Sequence, residues 1–156
     1  MLAGDIPSAG TDWLAIMDAL HALSDTWTDY SPSLTWTSSG TAPALGNATV
    51  DAKYVLVNKF AAVRYQIVFG STSTFGTGAW IFSLPFTTLG QSGTLGVFAL
   101  HAGTSAPYAG SAWVGADAAT NFRVTFGTVA AYGGATSPFT WASTDRIIMT
   151  GVVPVA

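Results

Sequence analysis

The sequence contains no cysteine and no glutamate, and charged residues make up only 8% of its 156 positions. Without cysteine there are no disulfides and no thiolate metal sites, and the redox compartment is left open. All eight acids are aspartates. Aspartate is the acid of caps and turns, whereas glutamate favours helix interiors, so its absence fits a mainly β chain. An ordinary soluble protein carries about 25% charged residues. With 49% hydrophobic residues and so few charges, the chain must present a Ser/Thr/Gly surface, hide apolar surface between copies, or lie in lipid.

Lipid is the weakest of the three. No charge falls between Arg64 and Asp117, yet Gly, Pro, Ser, Thr and Gln interrupt that stretch throughout. No run approaches the ~20 apolar residues of a membrane helix. The first residues carry Asp5 and Asp12 and no Lys or Arg, unlike a secretory signal, and a membrane barrel would need such a signal and more paired strands. The expectation is no membrane insertion. Charge is also uneven. Residues 1–29 hold five aspartates and no base, a net of −5, while the remainder holds five bases against Asp51, Asp117 and Asp145, a net of +2. A basic stripe for nucleic acid is missing.

The chain divides into an N-terminal arm with one amphipathic helix, residues 1–26, and a β domain, residues 27–156. Thr11 is a good N-cap, and Asp12 in the first turn suits the helix dipole. Trp13, Ile16, Met17, Leu20 and Leu23 then recur at three- and four-residue steps. A helix of about three turns is not stable alone in water, so this stripe needs a partner: the β domain, sister helices, or another protein. From Trp27 onward the apolar period is two. Strands are expected at 33–37, 49–57, 60–69, 79–84, 94–100, 111–115, 121–126 and 146–153. Asn58-Lys59 forms a tight turn, because asparagine tolerates positive φ. In 60–69, Ala61, Val63, Tyr65, Ile67 and Phe69 share one face. Exposed loops are expected at 71–78 and 102–110. About eight short strands with polar turns indicate a jelly-roll-like β-sandwich.

Groups that could do chemistry are sparse. Only His21 and His101 could act as neutral-pH bases, and they lie in different segments; both read as surface or interface residues. No nucleophile motif accompanies them. Of the β-domain acids, Asp145 reads as a turn residue and Asp51 as part of an exposed strand face, which leaves no carboxylate pair set for glycoside hydrolysis. No phosphate loop, dinucleotide fingerprint or metal spacing occurs, so no metal and no cofactor is expected. Six Trp and five Tyr raise sugar stacking. Trp80 alternates with Phe82 and Leu84 as core packing demands. Trp27, Tyr30, Trp36 and Trp113 are the candidate surface ligand contacts.

Several blocks resemble a known family. They are 29–36 (Asp-Tyr-Ser-Pro-Ser-Leu-Thr-Trp), Gly46-Asn47-Ala48-Thr49, Tyr54 to Lys59, Phe69 to Gly76 running on to Trp80–Pro85, and Pro138 to Asp145. In this order and spacing, over about residues 27–153, the chain resembles the C-terminal β-sandwich modules of minor tail proteins and tail fibres of phages of actinobacteria. The resemblance implies a trimeric, non-enzymatic component of the virion exterior, and no catalytic residues. The chain departs from the family in having only an arm and helix before the β domain, and Asn58 where the family turn has glycine. The short arm equally fits a capsid decoration protein. On this reading the β domains pack as a homotrimer, and residues 1–26 bind other tail or capsid proteins. Trp13, Ile16, Met17, Leu20 and Leu23 form the anchoring or inter-subunit stripe, and a host-surface glycan is a candidate ligand of the exposed loops. A small glycan-active enzyme or a lectin ranks below both.

Overall fold

The computed structural model describes residues 27–89, 94–114, 119–127 and 132–156. The fold is mainly β, as the alternation requires. Nine strands run β1 (Thr28–Asp29), β2 (Trp36–Ser38), β3 (Thr49–Val57), β4 (Phe60–Val68), β5 (Trp80–Ser83), β6 (Thr94–His101), β7 (Ala106–Val114), β8 (Asn121–Phe126) and β9 (Arg146–Pro154). All pair antiparallel in one sheet of order β1-β3-β4-β9-β6-β7-β8-β5-β2. The expected arm and helix, and the stripe of Trp13, Ile16, Met17, Leu20 and Leu23, lie outside the described residues.

β1 and β2 stand at opposite ends of that order, yet only residues 30–35 separate them. A flat sheet of nine strands would be about 38 Å wide at ~4.8 Å per gap, and seven residue steps reach at most about 25 Å. The sheet therefore curls, and its two halves face each other across one core. Ser83 of β5 fastens the two ends. Its hydroxyl accepts from the Tyr30 hydroxyl and from the Thr35 amide, both at 2.8 Å, and its amide donates to the Thr35 carbonyl. The sandwich thus arises from one curled sheet.

The inward face of every strand fills the interior. Ala61, Val63, Tyr65, Ile67 and Phe69 are buried, as their alternation requires, opposite Phe122, Val124, Trp80 and Phe82. Trp36, Phe69, Phe75, Trp80 and Trp141 form one aromatic cluster, with ring centroids 4.9 Å apart for Trp36–Trp80 and 5.1 Å for Trp80–Trp141. Buried aromatics of this kind each contribute about 1.5–3 kcal/mol by leaving water, and ring pairs about 0.5–1.5 kcal/mol more.

Local chemistry sets the strand ends. Asn58 takes φ 53° between β3 and β4, the left-handed turn expected of it. Two of the sequence blocks meet in space: the Asn47 side-chain oxygen accepts from the amide and hydroxyl of Thr72, and the Asn47 amide donates to the Thr72 hydroxyl. A Cβ on Gly70 would overlap the Asn47 amide group, so only glycine fits beside it. The strand expected at 33–37 is displaced. Residues Ser31–Ser33 form a 3-10 turn with proline in its first turn, and Asp29 accepts from the Ser31 amide. The Ser31 hydroxyl and amide hold the Asp29 carboxyl below its ordinary range. The loop expected at 102–110 is in fact a tight turn followed by the first half of β7. Pro107 and Gly110 disguised that strand. Pro107 is tolerated because β8 pairs with β7 only from Gly110 onward, so the start of β7 has an open side.

Tyr65 is fully buried, its hydroxyl 3.4 Å from the Ser83 carbonyl. Burial, reinforced by the neighbouring Tyr30 and Tyr54, holds its phenol neutral well above the ordinary tyrosine range. Below about pH 10 the folded and unfolded states bind the same proton; above it the unfolded chain loses that proton and the folded chain keeps it. This group's contribution to stability therefore declines as pH rises past about 10, by up to ~1.4 kcal/mol per pH unit. Urea unfolding between pH 8 and 11 is expected to show a shallower alkaline decline for Tyr65→Phe than for the parent, with a cost near neutrality of about 1 kcal/mol or less.

Candidate functional site

Two regions stand out: the outer face of the sheet, and a corner where β6 meets β9. On the outer face the register places residues in rows across the strands. Val57, Phe60 and Pro154 form one row, and Val55, Ala62 and Val152 the next. A polar row follows, made by Lys53, Arg64, Thr150, Gly96 and Ser111; beyond it Gln66, Ile148, Phe98 and Ala109 lie side by side. Phe60 is 55% exposed, Val152 56%, Phe98 46% and Trp113 48%. Charge on this face is concentrated on β3 and β4. Asp51 pairs with Lys53 at 3.2 Å and Arg64 at 3.3 Å, which neutralises much of the cluster while contributing little to stability at that exposure. Further along, the Arg123 guanidinium lies over the Tyr132 ring at 5.2 Å, beside Trp113, whose register partner is Arg123.

The corner exists because β6 and β9 pair, Leu100 against Arg146, which brings His101 at the end of one strand to Asp145 just before the other. The Asp145 carboxylate is 1% exposed. One oxygen accepts from His101 Nδ1 at 3.0 Å and the Ala102 amide at 2.8 Å; the other accepts from the Ala142 amide at 2.7 Å. An ionised carboxylate only accepts, so Nδ1 is the donor of this contact. The ring packs 4.7 Å from Phe139. A cleft of about 220 Å³ lies beside it, lined by Leu100, His101, Ala102, Ser105, Thr144 and Arg146.

An oriented His–Asp pair is the geometry of a general base, but a nucleophile must lie within hydrogen-bond reach to make it a hydrolytic site. Among the described residues no hydroxyl hydrogen-bonds His101. What the arrangement does visibly is structural: Asp145 ties the β6–β7 turn to the 142–145 turn. Asp145 is a turn residue as expected, but sequence reasoning missed its burial and the pairing with His101, which was read as an ordinary surface or interface residue. A second groove, of about 470 Å³, runs past Pro107, Tyr108, Phe126, Ser137 and Pro138. Its side-chain hydroxyls are those of Tyr108 and Ser137.

The four candidate ligand-contact aromatics part company. Trp36 is a correction: at 5% exposure it is core, stacked at 2° on Phe82 and edge-on to Trp80, so its face is not offered to any ligand. Tyr30 is half-buried against Tyr54 and Tyr65, its hydroxyl committed to Ser83. Trp27, 46% exposed, and Trp113 do face solvent, but β3, β4, β9 and β6 lie between their strands, and the structure does not bring them into one site. His21 and Asp117 lie outside the described residues. Phe60, Phe98 and Val152 went unremarked in the sequence. The available signal was a strand apolar on both faces, as in Ile147-Ile148-Met149 followed by Val152-Val153. Among the described residues no three potential metal ligands converge. Comparisons with protein-family models, curated proteins and solved structures give no match.

Replacing Asp145 by Asn puts an amide donor against N–H groups the carboxylate now receives. Asp145→Asn is expected to lose about 2–4 kcal/mol in urea unfolding. Asp51→Asn, on the surface, is expected to lose under about 1 kcal/mol.

Proposed function

We propose that this protein is a structural component of the exterior of a bacteriophage particle, a trimeric module of the minor-tail or tail-fibre kind, acting by contact and assembly and not by catalysis. The observation that carries the reading is the outer face. Phe98, packed beside Ile148 and Ala109, and Trp113 are large apolar groups on a rigid sheet, left in water by a chain with few charges to offset them. Exposed apolar surface on a well-ordered sheet is the usual mark of a contact surface. Two further points agree. The sequence blocks that carry the family resemblance are structural, since Asn47, Thr72, Phe69, Trp80 and Asp145 hold turns and core together. The His101–Asp145 pair has a complete structural role without a substrate.

Sedimentation equilibrium at micromolar concentration is expected to give a trimer. Phe98→Asp is expected to weaken association by at least about tenfold while leaving the fold intact, because the lost burial is at an interface and not in the core. A soluble single-chain species for the parent protein would overturn the proposal. Copy number in purified particles separates the locations: tens of copies indicate the tail, and hundreds indicate a decoration protein of the capsid.

A further inference from the structure

We infer that the apolar end of the outer face is the seat of residues 11–24 of the same chain, bound as an amphipathic helix. The inference is independent of the particle assignment above. The seat consists of Val55, Val57, Phe60, Ala62, Val152 and Pro154, adjacent in register across β3, β4 and β9. Val57, Phe60 and Val152 are 40%, 55% and 56% exposed.

Four observations select this occupant. The first is where the chain leads. β1 pairs with β3 antiparallel, Thr28 with Tyr54 and Asp29 with Lys53. Thr28, the first residue of β1, is therefore the end nearer Val55, Val57 and the β3–β4 turn, so the chain enters β1 from that side. The edge of the patch is thus within reach of the segment preceding β1, since a three-residue connection suffices for a reversal. The second is size. Fourteen helical residues span about 20 Å, and the patch from β3 to β9 with the adjoining β6 spans about 15 Å, so one helix covers it. The third is chemistry. The stripe of Trp13, Ile16, Met17, Leu20 and Leu23 is the apolar surface that a three-turn helix must bury to be stable at all. The fourth is charge. Asp12, Asp18 and Asp25 flank that stripe, while Lys53 and Arg64 border the patch on one side and Lys59 lies at the turn beside Phe60. Tethering through so short a connection gives an effective concentration in the millimolar range, which favours the chain's own segment over a neighbour's.

The lack of native cysteine makes the test clean, since an introduced pair is the only pair. The double variant Leu20→Cys with Val152→Cys, oxidised mildly at micromolar concentration, is expected to cross-link within one chain. The pair Leu20→Cys with Thr104→Cys, at the far end of the outer face, is expected not to. Absence of the 20–152 link, or a link only between chains, overturns the inference. An independent readout needs no engineered thiol. With the segment seated, chymotrypsin cuts slowly at Trp13 and Leu20; Val152→Asp is expected to speed those cuts by at least about tenfold while the far-UV β signal of the full chain is unchanged. An unaltered cleavage rate in that variant overturns the inference as well.

Discussion

The short passage from Tyr30 to Thr35 governs this fold. It joins the two ends of a nine-stranded sheet that, laid flat, it could not span. Everything else follows from the resulting curl. Strands distant in order, such as β4 and β8, face each other, so Tyr65 meets Phe122 at 5.8 Å and Trp36 meets Phe69 at 5.2 Å. The hydroxyl of Ser83 sits where the two ends converge and accepts two hydrogen bonds there. Backbone pairing runs through the whole sheet, but it does not choose a curvature. The chain connection and the aromatic filling do, because a flatter sheet would both break the connection and open voids beside Trp80.

Curling also divides the residues into two populations with different obligations. The inward set is satisfied within one chain: Trp80, Tyr65, Phe82 and Phe122 have essentially no contact with water. The outward set is not. Phe60, Val152, Phe98 and Trp113 stand on the outer side, each about half exposed. A chain with more lysine and glutamate would cover that side with long amphipathic stems. Here Lys53 and Arg64 serve only the strip around Asp51. The scarcity of charge and the exposed aromatics are therefore one fact seen twice, in composition and in geometry.

The strands were legible where side chains alternate cleanly. β3, β4, β8 and β9 fall within a residue of their expected bounds, because Ala61-Val63-Tyr65-Ile67 and Phe122-Val124-Phe126 admit only one inward face. β7 was half missed because Pro107 and Gly110 are strand-breaking by composition; Pro107 lies past the end of β8 at Phe126, where β7 has an open side, and Gly110, which pairs with Phe126, has no room for a Cβ against the Thr125 carbonyl. That openness is a property of the assembled sheet and has no local signature. Trp36 was misjudged for a related reason. It sits near a chain segment that reads as a junction, and its burial depends on Phe69, Phe75 and Trp80, distant residues brought together by the curl. The Asp145–His101 contact was illegible for the same cause: it spans 44 positions and is created by the pairing of β6 with β9, two strands whose adjacency no local pattern reports.

That corner bears on how far chemistry can be inferred from a pair of residues. An imidazole fixed by a buried carboxylate resembles a catalytic base. Yet the same carboxylate also accepts from the Ala102 and Ala142 amides, backbone groups that it ties together from two turns. Removing the histidine would leave those two bonds in place; removing the aspartate would break both. The carboxylate is thus explained by the backbone it satisfies, and the histidine by the carboxylate and by Phe139, before any substrate is invoked. The outer face has no such internal explanation. Nothing within the described β domain profits from Phe60, Val152 or Phe98 being large and apolar. Burying them against another surface would remove that apolar area from water, which is why the proposed contact is placed on that face and not in the cleft beside His101.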